Sequence, residues 1–416
     1  MTGIPANDYV HAVREDPTRK GLLYAGTQHG FYVSYDDGDH WQSLSLNLPD
    51  VQVSDVWVEA NSMAIATHGR GFYVLDDLAA LRQRGQETPG DFYLYKPGDA
   101  IRGGGNASIS YLLNKQPEKL TVQILDAKGA VVQTIEGSTA AAGRGGRGAR
   151  GAGGARGAGG AGAEGARGAG GATPGAAAEE TPDDQQGGGG GRGRGGFAPT
   201  APMAAGLNRA SWSLEYPGAA TFPGMILWGA TTNGPMAIPG TYQVRLTVDG
   251  ASQTQPLVIR KHPLRSTPDA DMQQQFTLAL QIRDKVSEAN NAVIQIRKIK
   301  DDVKDRVSKS QDAQLKAAGD RLTERLSAVE QDLYQVKNQS GQDPLNFPIK
   351  TNNRLASLLG MTLRGEGKPT ANIYPIFEDL KKELKSETDR LEEVLSADLA
   401  AFNQAAQKAG VAPVSK

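Results

Sequence analysis

The chain has 416 residues, a formal net charge of −1 and 38% hydrophobic residues. So small a charge excludes a global electrostatic attraction to nucleic acid or anionic membrane, and the lack of cysteine excludes disulfides, thiolate metal sites and thiol nucleophiles. No run of about eighteen apolar residues occurs, and the opening MTGIPANDYVHAVRED lacks the basic and apolar regions of a signal peptide.

In chain order the pattern predicts a multidomain protein: β-rich residues 1–85, a second β-rich unit over 91–262 interrupted at 138–200, and helices over 266–408. In the first unit, LLYAGTQHGFYVSYD and WQSLSLNLP alternate Tyr, Phe, Val and Leu with small or polar residues, as half-buried strands do. Between them Ser34 to Trp41, SYDDGDHW, has the spacing Ser-x-Asp-x-Gly-x-x-Trp. In a hairpin turn, Ser34 and Asp36 accept turn amide hydrogens, Gly38 supplies a positive φ, and Trp41 folds back as an apolar plug. An abbreviated second copy follows: VHAVREDP, LLYAGTQHG and FYVSYDDG are echoed by VSDVWVEA, SMAIATHGR and GFYVLDD. In that copy Leu75-Asp76-Asp77-Leu78 runs on without the Gly and Trp.

On Tyr24-Ala25-Gly26-Thr27, the Ser34 to Trp41 octapeptide, and Thr67-His68-Gly69-Arg70-Gly71 running into Val74-Leu75-Asp76-Asp77, residues from about 8 to 80 resemble the last blades of the bacterial sortilin-like and sialidase-like β-propellers (BNR or Asp-box repeats), often labelled glycosyl hydrolases. The resemblance implies a partial β-propeller of one to two terminal blades, since a blade needs four strands and a ring several blades. It further implies a C-terminal fragment that requires upstream blades, and an extracytoplasmic location, periplasmic or secreted. Without those blades the strands expose edges and an apolar face.

Asp36, Asp37 and Asp39 suggest a cation site or a carboxylate pair for glycoside hydrolysis, but the resemblance places Asp36 in a structural turn on the propeller periphery. His29 and His68 each sit in a turn that can face the ligand side, and Arg70 can hold a carboxylate or sulfate through its bidentate fork. These three are the candidate ligand-binding residues, with hydrogen bonding between blades as the alternative role. No catalytic residue, metal ligand or cofactor is assigned.

The second unit reads as a β-sandwich, with strands in ASISYLLN, KLTVQILDAKGAVVQTI, NRASWSLEY, GTYQVRLTVDG and TQPLVIRKHP. Gly206-Leu207-Asn208-Arg209, Trp212, Pro239-Gly240-Thr241-Tyr242 and Arg245-Leu246-Thr247-Val248 are similar to the FlgD-type immunoglobulin-like domain, which implies a spacer or docking module. The tract over 138–200, dominated by Gly, Ala and Arg, cannot bury enough apolar surface to offset chain entropy, so a disordered insertion is expected. Arg144, Arg147, Arg150, Arg156, Arg167, Arg192 and Arg194 offer an RGG-like phosphate-binding alternative. The tract has few aromatic partners for bases, and Glu164, Glu179, Glu180, Asp183 and Asp184 dilute its charge.

From Ser266 the period changes from two to 3.6. Ala279, Ile282, Val286, Ala289, Val293 and Ile296 form one stripe, Leu315, Ala318, Leu322, Leu326, Val329 and Leu333 a second, and Phe377, Leu380, Leu384, Leu391, Leu395 and Phe402 a third. An antiparallel helical bundle is predicted, its charged faces solvated or paired with a partner. Three functions stay open. The favoured one is a noncatalytic extracytoplasmic binding or scaffold protein whose propeller takes a peptide or glycan. The second is a secreted, sialidase-like glycoside hydrolase with its active site in upstream blades. The third is an RGG-type nucleic-acid binder. No nucleic acid and no membrane span are expected in the favoured reading.

Overall fold

The computed structural model describes residues 2–85, 87, 90–139 and 199–416. Residues 140–198 of the Gly/Ala/Arg tract, with its seven named arginines, lie outside the described residues. Strands β1 (Val10–Glu15), β2 (Leu23–Thr27), β3 (Phe31–Ser34) and β4 (Trp41–Ser43) form an antiparallel meander in that order. Strands β5 (Val53–Val58), β6 (Met63–Thr67) and β7 (Gly71–Leu75) repeat the first three. Where the first sheet turns into β4, the second carries Asp77 at φ 74. Its carboxylate accepts the amide hydrogen of Ala79 at 2.9 Å, at the start of the short helix α1 (Ala79–Gln83). Without the Gly and Trp of the longer motif, the chain leaves the sheet here.

The two sheets share one core, with Tyr24, Phe31 and Val33 from the first against Val53, Val56, Met63 and Ile65 from the second, and Leu78 beneath α1. The other face of the second sheet is apolar and open. Cross-strand pairing aligns Trp57 with Ala64 and Val74, and Ala66 with Phe72, on one face. There Phe72 is 82% exposed, Trp57 65% and Val74 62%.

The next strands are β8 (Phe92–Leu94), β9 (Ala100–Ile101), β10 (Ala107–Leu113), β11 (Leu120–Leu125), β12 (Val131–Ser138), β13 (Ala201–Pro202), β14 (Gly206–Trp212), β15 (Gly240–Val248) and β16 (Ala251–Arg260). They make a three-stranded sheet, β14-β10-β8, and a six-stranded sheet, β13-β12-β11-β15-β16-β9. Alternate residues of each turn inward, Ile109, Tyr111 and Trp212 from the first meeting Val122, Ile124, Val244 and Leu246 from the second. The Trp212 ring lies 5.7 Å from that of Tyr242, and its indole N–H donates to the Glu215 carbonyl at 2.9 Å.

Helices α2 (Asp269–Ser308), α3 (Ala313–Leu333), α4 (Thr351–Leu363) and α5 (Ile373–Lys408) close the chain. Helix α2 has 40 residues, a length of about 60 Å at 1.5 Å per residue. It packs along α3 and α4, as α5 does. The buried positions of α2 include the whole stripe from Ala279 to Ile296, and Asp312 caps α3 by accepting the amide hydrogens of Gln314 and Leu315 at 2.8 Å each. Two buried acids are paired across helices: Glu330 with Arg297 and Lys300, and Asp398 with Arg321 and Arg325. Between β14 and β15, residues 217–231 leave the strands and lie on this helical core, to which Ala219 and Phe222 belong.

Candidate ligand-binding site

The turn from β3 to β4 is built by short side chains. The Ser34 hydroxyl donates to Asp36 Oδ1 at 2.8 Å and accepts the Gly38 amide hydrogen at 2.9 Å. Asp36 in turn accepts the His40 amide hydrogen at 2.9 Å, and its Oδ2 lies 2.7 Å from His40 Nδ1. Gly38 sits at φ 95, and the Trp41 indole, packed over it, donates to the Gly38 carbonyl at 2.9 Å. The bonds from the His40 backbone and ring and from Ser34 hold the Asp36 carboxyl down at about 2. Every acceptor site this geometry uses on Asp36 serves the turn. Asp37, at φ 60, uses its backbone N–H on the Gly21 carbonyl at 3.0 Å. Among the described residues no group of three His, Asp or Glu side chains is placed to hold a metal ion.

His29 and His68 occupy corresponding turns, after β2 and after β6. Gly26 lies flat against Val53, leaving no room for a Cβ between them, and Val53 pairs with Thr67. The ends of β2 and β6 are therefore neighbours, and both turns leave the same end of the paired sheets. All three candidates, His29, His68 and Arg70, are exposed there.

The first turn is the more firmly built. Buried Asp8 accepts the Thr27 hydroxyl at 2.9 Å and the His29 amide hydrogen at 3.0 Å, and His29 Nδ1 lies 3.0 Å from Asp50 Oδ1, so the second repeat reaches back to the first. In the second turn the Thr67 hydroxyl donates to the Gly71 carbonyl at 2.6 Å and the His68 amide to the Gln52 carbonyl at 2.9 Å. Arg70 has no ion-pair partner among the described residues. Sequence reasoning missed Asp8 and Asp50. Asp8 precedes the repeated words, and the second copy has Val51 at its position, so the repeat carried no signal for it.

A cleft of about 610 Å³ lies between the first sheet and the sandwich strands, with Arg19, Tyr35, Arg84, Glu87 and Tyr93 in its wall. Its charged groups are engaged within the wall and the adjoining helix. Arg19 Nη1 donates to the carbonyls of Leu81, Arg82 and Arg84, and Arg84 lies 3.7 Å from Glu87, which accepts the Tyr95 hydroxyl at 2.6 Å. Burial and the bond to Glu87 push that hydroxyl up to about 12. This geometry is that of a seam between units.

No family model and no curated protein sequence matches the chain. Two solved structures are similar to part of it: extracellular domains from B. thetaiotaomicron, one described as belonging to a one component system and one to a hybrid two component system. In both, identity is 9%, the match covers 63% of this chain and 26% of the other, and the TM-score is 0.16. The match thus spans about a quarter of those chains, and a likeness of that size assigns neither fold family nor function.

Proposed function

We propose that this chain belongs to a noncatalytic, extracytoplasmic binding or scaffold protein whose first two sheets are consecutive blades of a sortilin-like propeller. A peptide or glycan bearing a carboxylate or sulfate is taken at the end that carries His29, His68 and Arg70. One observation carries the reading: two repeated turns leave the same end of the paired sheets and present these three side chains to solvent, with Arg70 lacking an ion-pair partner among the described residues. The apolar face of Trp57, Phe72 and Val74 suits the packing of a further blade. The sandwich, in this reading an immunoglobulin-like module, and the helical bundle hold and present the blades. The extracytoplasmic placement rests on the family resemblance. No helix of the described residues is long and apolar enough to cross a membrane.

Calorimetric titration of the chain with sulfated and carboxylated oligosaccharides and with acidic peptides tests the reading. Arg70→Ala and His68→Ala are expected to weaken binding about tenfold, a change of about 1.4 kcal/mol, without moving the melting transition. Unchanged binding in both variants removes the assignment of the site. Hydrolysis of a glycoside by the chain overturns its noncatalytic part.

A further inference from the structure

Residues 216–235 close into a loop with a narrow neck. Glu215 and Met236 form an antiparallel bridge. The Tyr216 amide donates to the Pro235 carbonyl at 2.9 Å, and the Ala219 amide to the Thr232 carbonyl at 2.7 Å. The tip rests on α2, the C-terminal end of α3, and α4. What the helices hold there is main chain. Ser287 accepts the Ala220 amide hydrogen at 3.1 Å, and Asn290 donates to the Ala220 carbonyl at 2.7 Å. The Tyr334 hydroxyl accepts from the Ile226 amide at 3.0 Å and donates to the Gly224 carbonyl at 3.3 Å. Asn353 accepts from the Trp228 amide at 2.7 Å and donates to the Trp228 carbonyl at 2.9 Å.

Two apolar side chains of the loop go deep, Ala219 and Phe222, whereas Met225, Leu227 and Ala230 are partly buried. The Phe222 ring meets Tyr334 edge-on at 5.1 Å, and the Arg297 guanidinium, held by Glu330 at 2.7 Å, lies 4.7 Å from its centroid. Asn290 and Asn353 are buried in a helical core. A buried amide costs free energy unless it is bonded, and these two find partners in the loop backbone. The face is thus matched to main chain, which here turns over residues 222–225 with Gly224 at φ 74: most of its bonds read groups that any sequence offers, and one aromatic pocket selects.

We propose that the face formed by α2, α3 and α4 is a peptide-binding groove whose resident occupant is the chain's own loop 217–231. A peptide carrying a small residue three positions before an aromatic one, with a turn after the aromatic, competes for it. This groove is distinct from the His29, His68 and Arg70 end and does not depend on that reading. The closed neck keeps the loop tethered beside the groove. A tethered occupant acts at an effective concentration in the millimolar range, so the loop is autoinhibitory toward peptides in trans.

The test replaces residues 219–231 of the full chain by a short Gly-Ser turn and titrates it with a fluorescein-labelled synthetic peptide of residues 216–235, followed by anisotropy. The expected result is saturable binding, at least about tenfold tighter than to the unmodified chain, and about tenfold weaker again when the peptide carries Phe222→Ala. No binding by a loop-replaced chain with unchanged helical circular dichroism overturns the proposal, as does equal binding to both chains. If the loop-replaced chain fails to fold, hydrogen exchange on the unmodified chain decides. Loop amides of Ala220, Ile226 and Trp228 that exchange faster than those of Val293 and Leu359 support a releasable occupant. Exchange of both sets only together overturns it.

Discussion

The Nε of Arg82 lies 2.8 Å from Oδ2 and 3.0 Å from Oδ1 of Asp16, a carboxylate whose side chain is 0% exposed. Asp16 also accepts the Thr18 amide and hydroxyl, the Arg19 amide and the Tyr24 hydroxyl. The same guanidinium donates to the carbonyls of Glu59 and Ala60 in the connection between β5 and β6. One side chain from α1 therefore ties the first sheet to the second. Asp16→Ala leaves the Tyr24 hydroxyl and Arg82 without their acceptor and is expected to cost about 3 kcal/mol. Faster hydrogen exchange in β2 and β5, with the bundle unaffected, is the measurement.

Burial pushes the Asp16 carboxyl up, but bonds from the Thr18 amide, the Arg82 guanidinium and the Thr18 hydroxyl outweigh it and hold it below its usual value. Asp36 is held down at about 2 by His40 and Ser34. For both, the folded value lies below the unfolded one of about 3.9. The stability they contribute is therefore complete above about pH 4 and is lost as pH falls through the folded value. Acid titration of the intact chain is expected to loosen the first two sheets between about pH 4 and pH 2, and Asp36→Asn to flatten that dependence. An acid transition identical in the variant would contradict the role given to the carboxylate.

Trp41 is 7% exposed and lies over the turn it closes. Trp41→Ala is expected to cost about 3 kcal/mol through the cavity it leaves. Trp41→Phe keeps most of the plug and loses the indole bond to Gly38, for about 1 kcal/mol. Because this turn lies between β3 and β4, away from the end bearing His29 and His68, both variants are expected to bind ligand as before once folded. A loss of binding without a loss of stability would move the site to this turn.

The local structure of these turns was legible because their residues carry their own instructions: Ser34, Asp36, Gly38 and Trp41 bond mostly within eight positions of sequence. The helical stripes were legible for a similar reason, since period alone marks the buried face of α2 from Ala279 to Ile296. What could not be read were long-range bonds. Arg82 to Asp16, Asp50 to His29 and Asn353 to Trp228 join residues 66, 21 and 125 positions apart. The loop over 217–231 was hidden in another way. It has neither alternation nor helical period, and its partners are helix residues such as Asn290 and Asn353 whose polarity, in sequence, reads as solvent exposure.

Its neck gives the sharpest local prediction. At Gly234 a Cβ would lie 2.0 Å from the Tyr216 carbonyl oxygen and 2.6 Å from that of Pro217, both backbone atoms that no rotamer change moves away. Gly234→Ala must therefore part the two limbs of the neck and strain the pairing of Tyr216 with Pro235, at an expected cost of about 2 kcal/mol, within the range for forced overpacking. Gly367, in the connection between α4 and α5, has open space around it and serves as the control. Gly367→Ala is expected to stay within about 0.5 kcal/mol of the parent. Urea unfolding followed at Trp228, whose backbone is held by Asn353, reports on the loop in both variants. Equal midpoints for Gly234→Ala and Gly367→Ala would show that the limbs of the neck separate freely and that their contact does not set the loop's place on the helices.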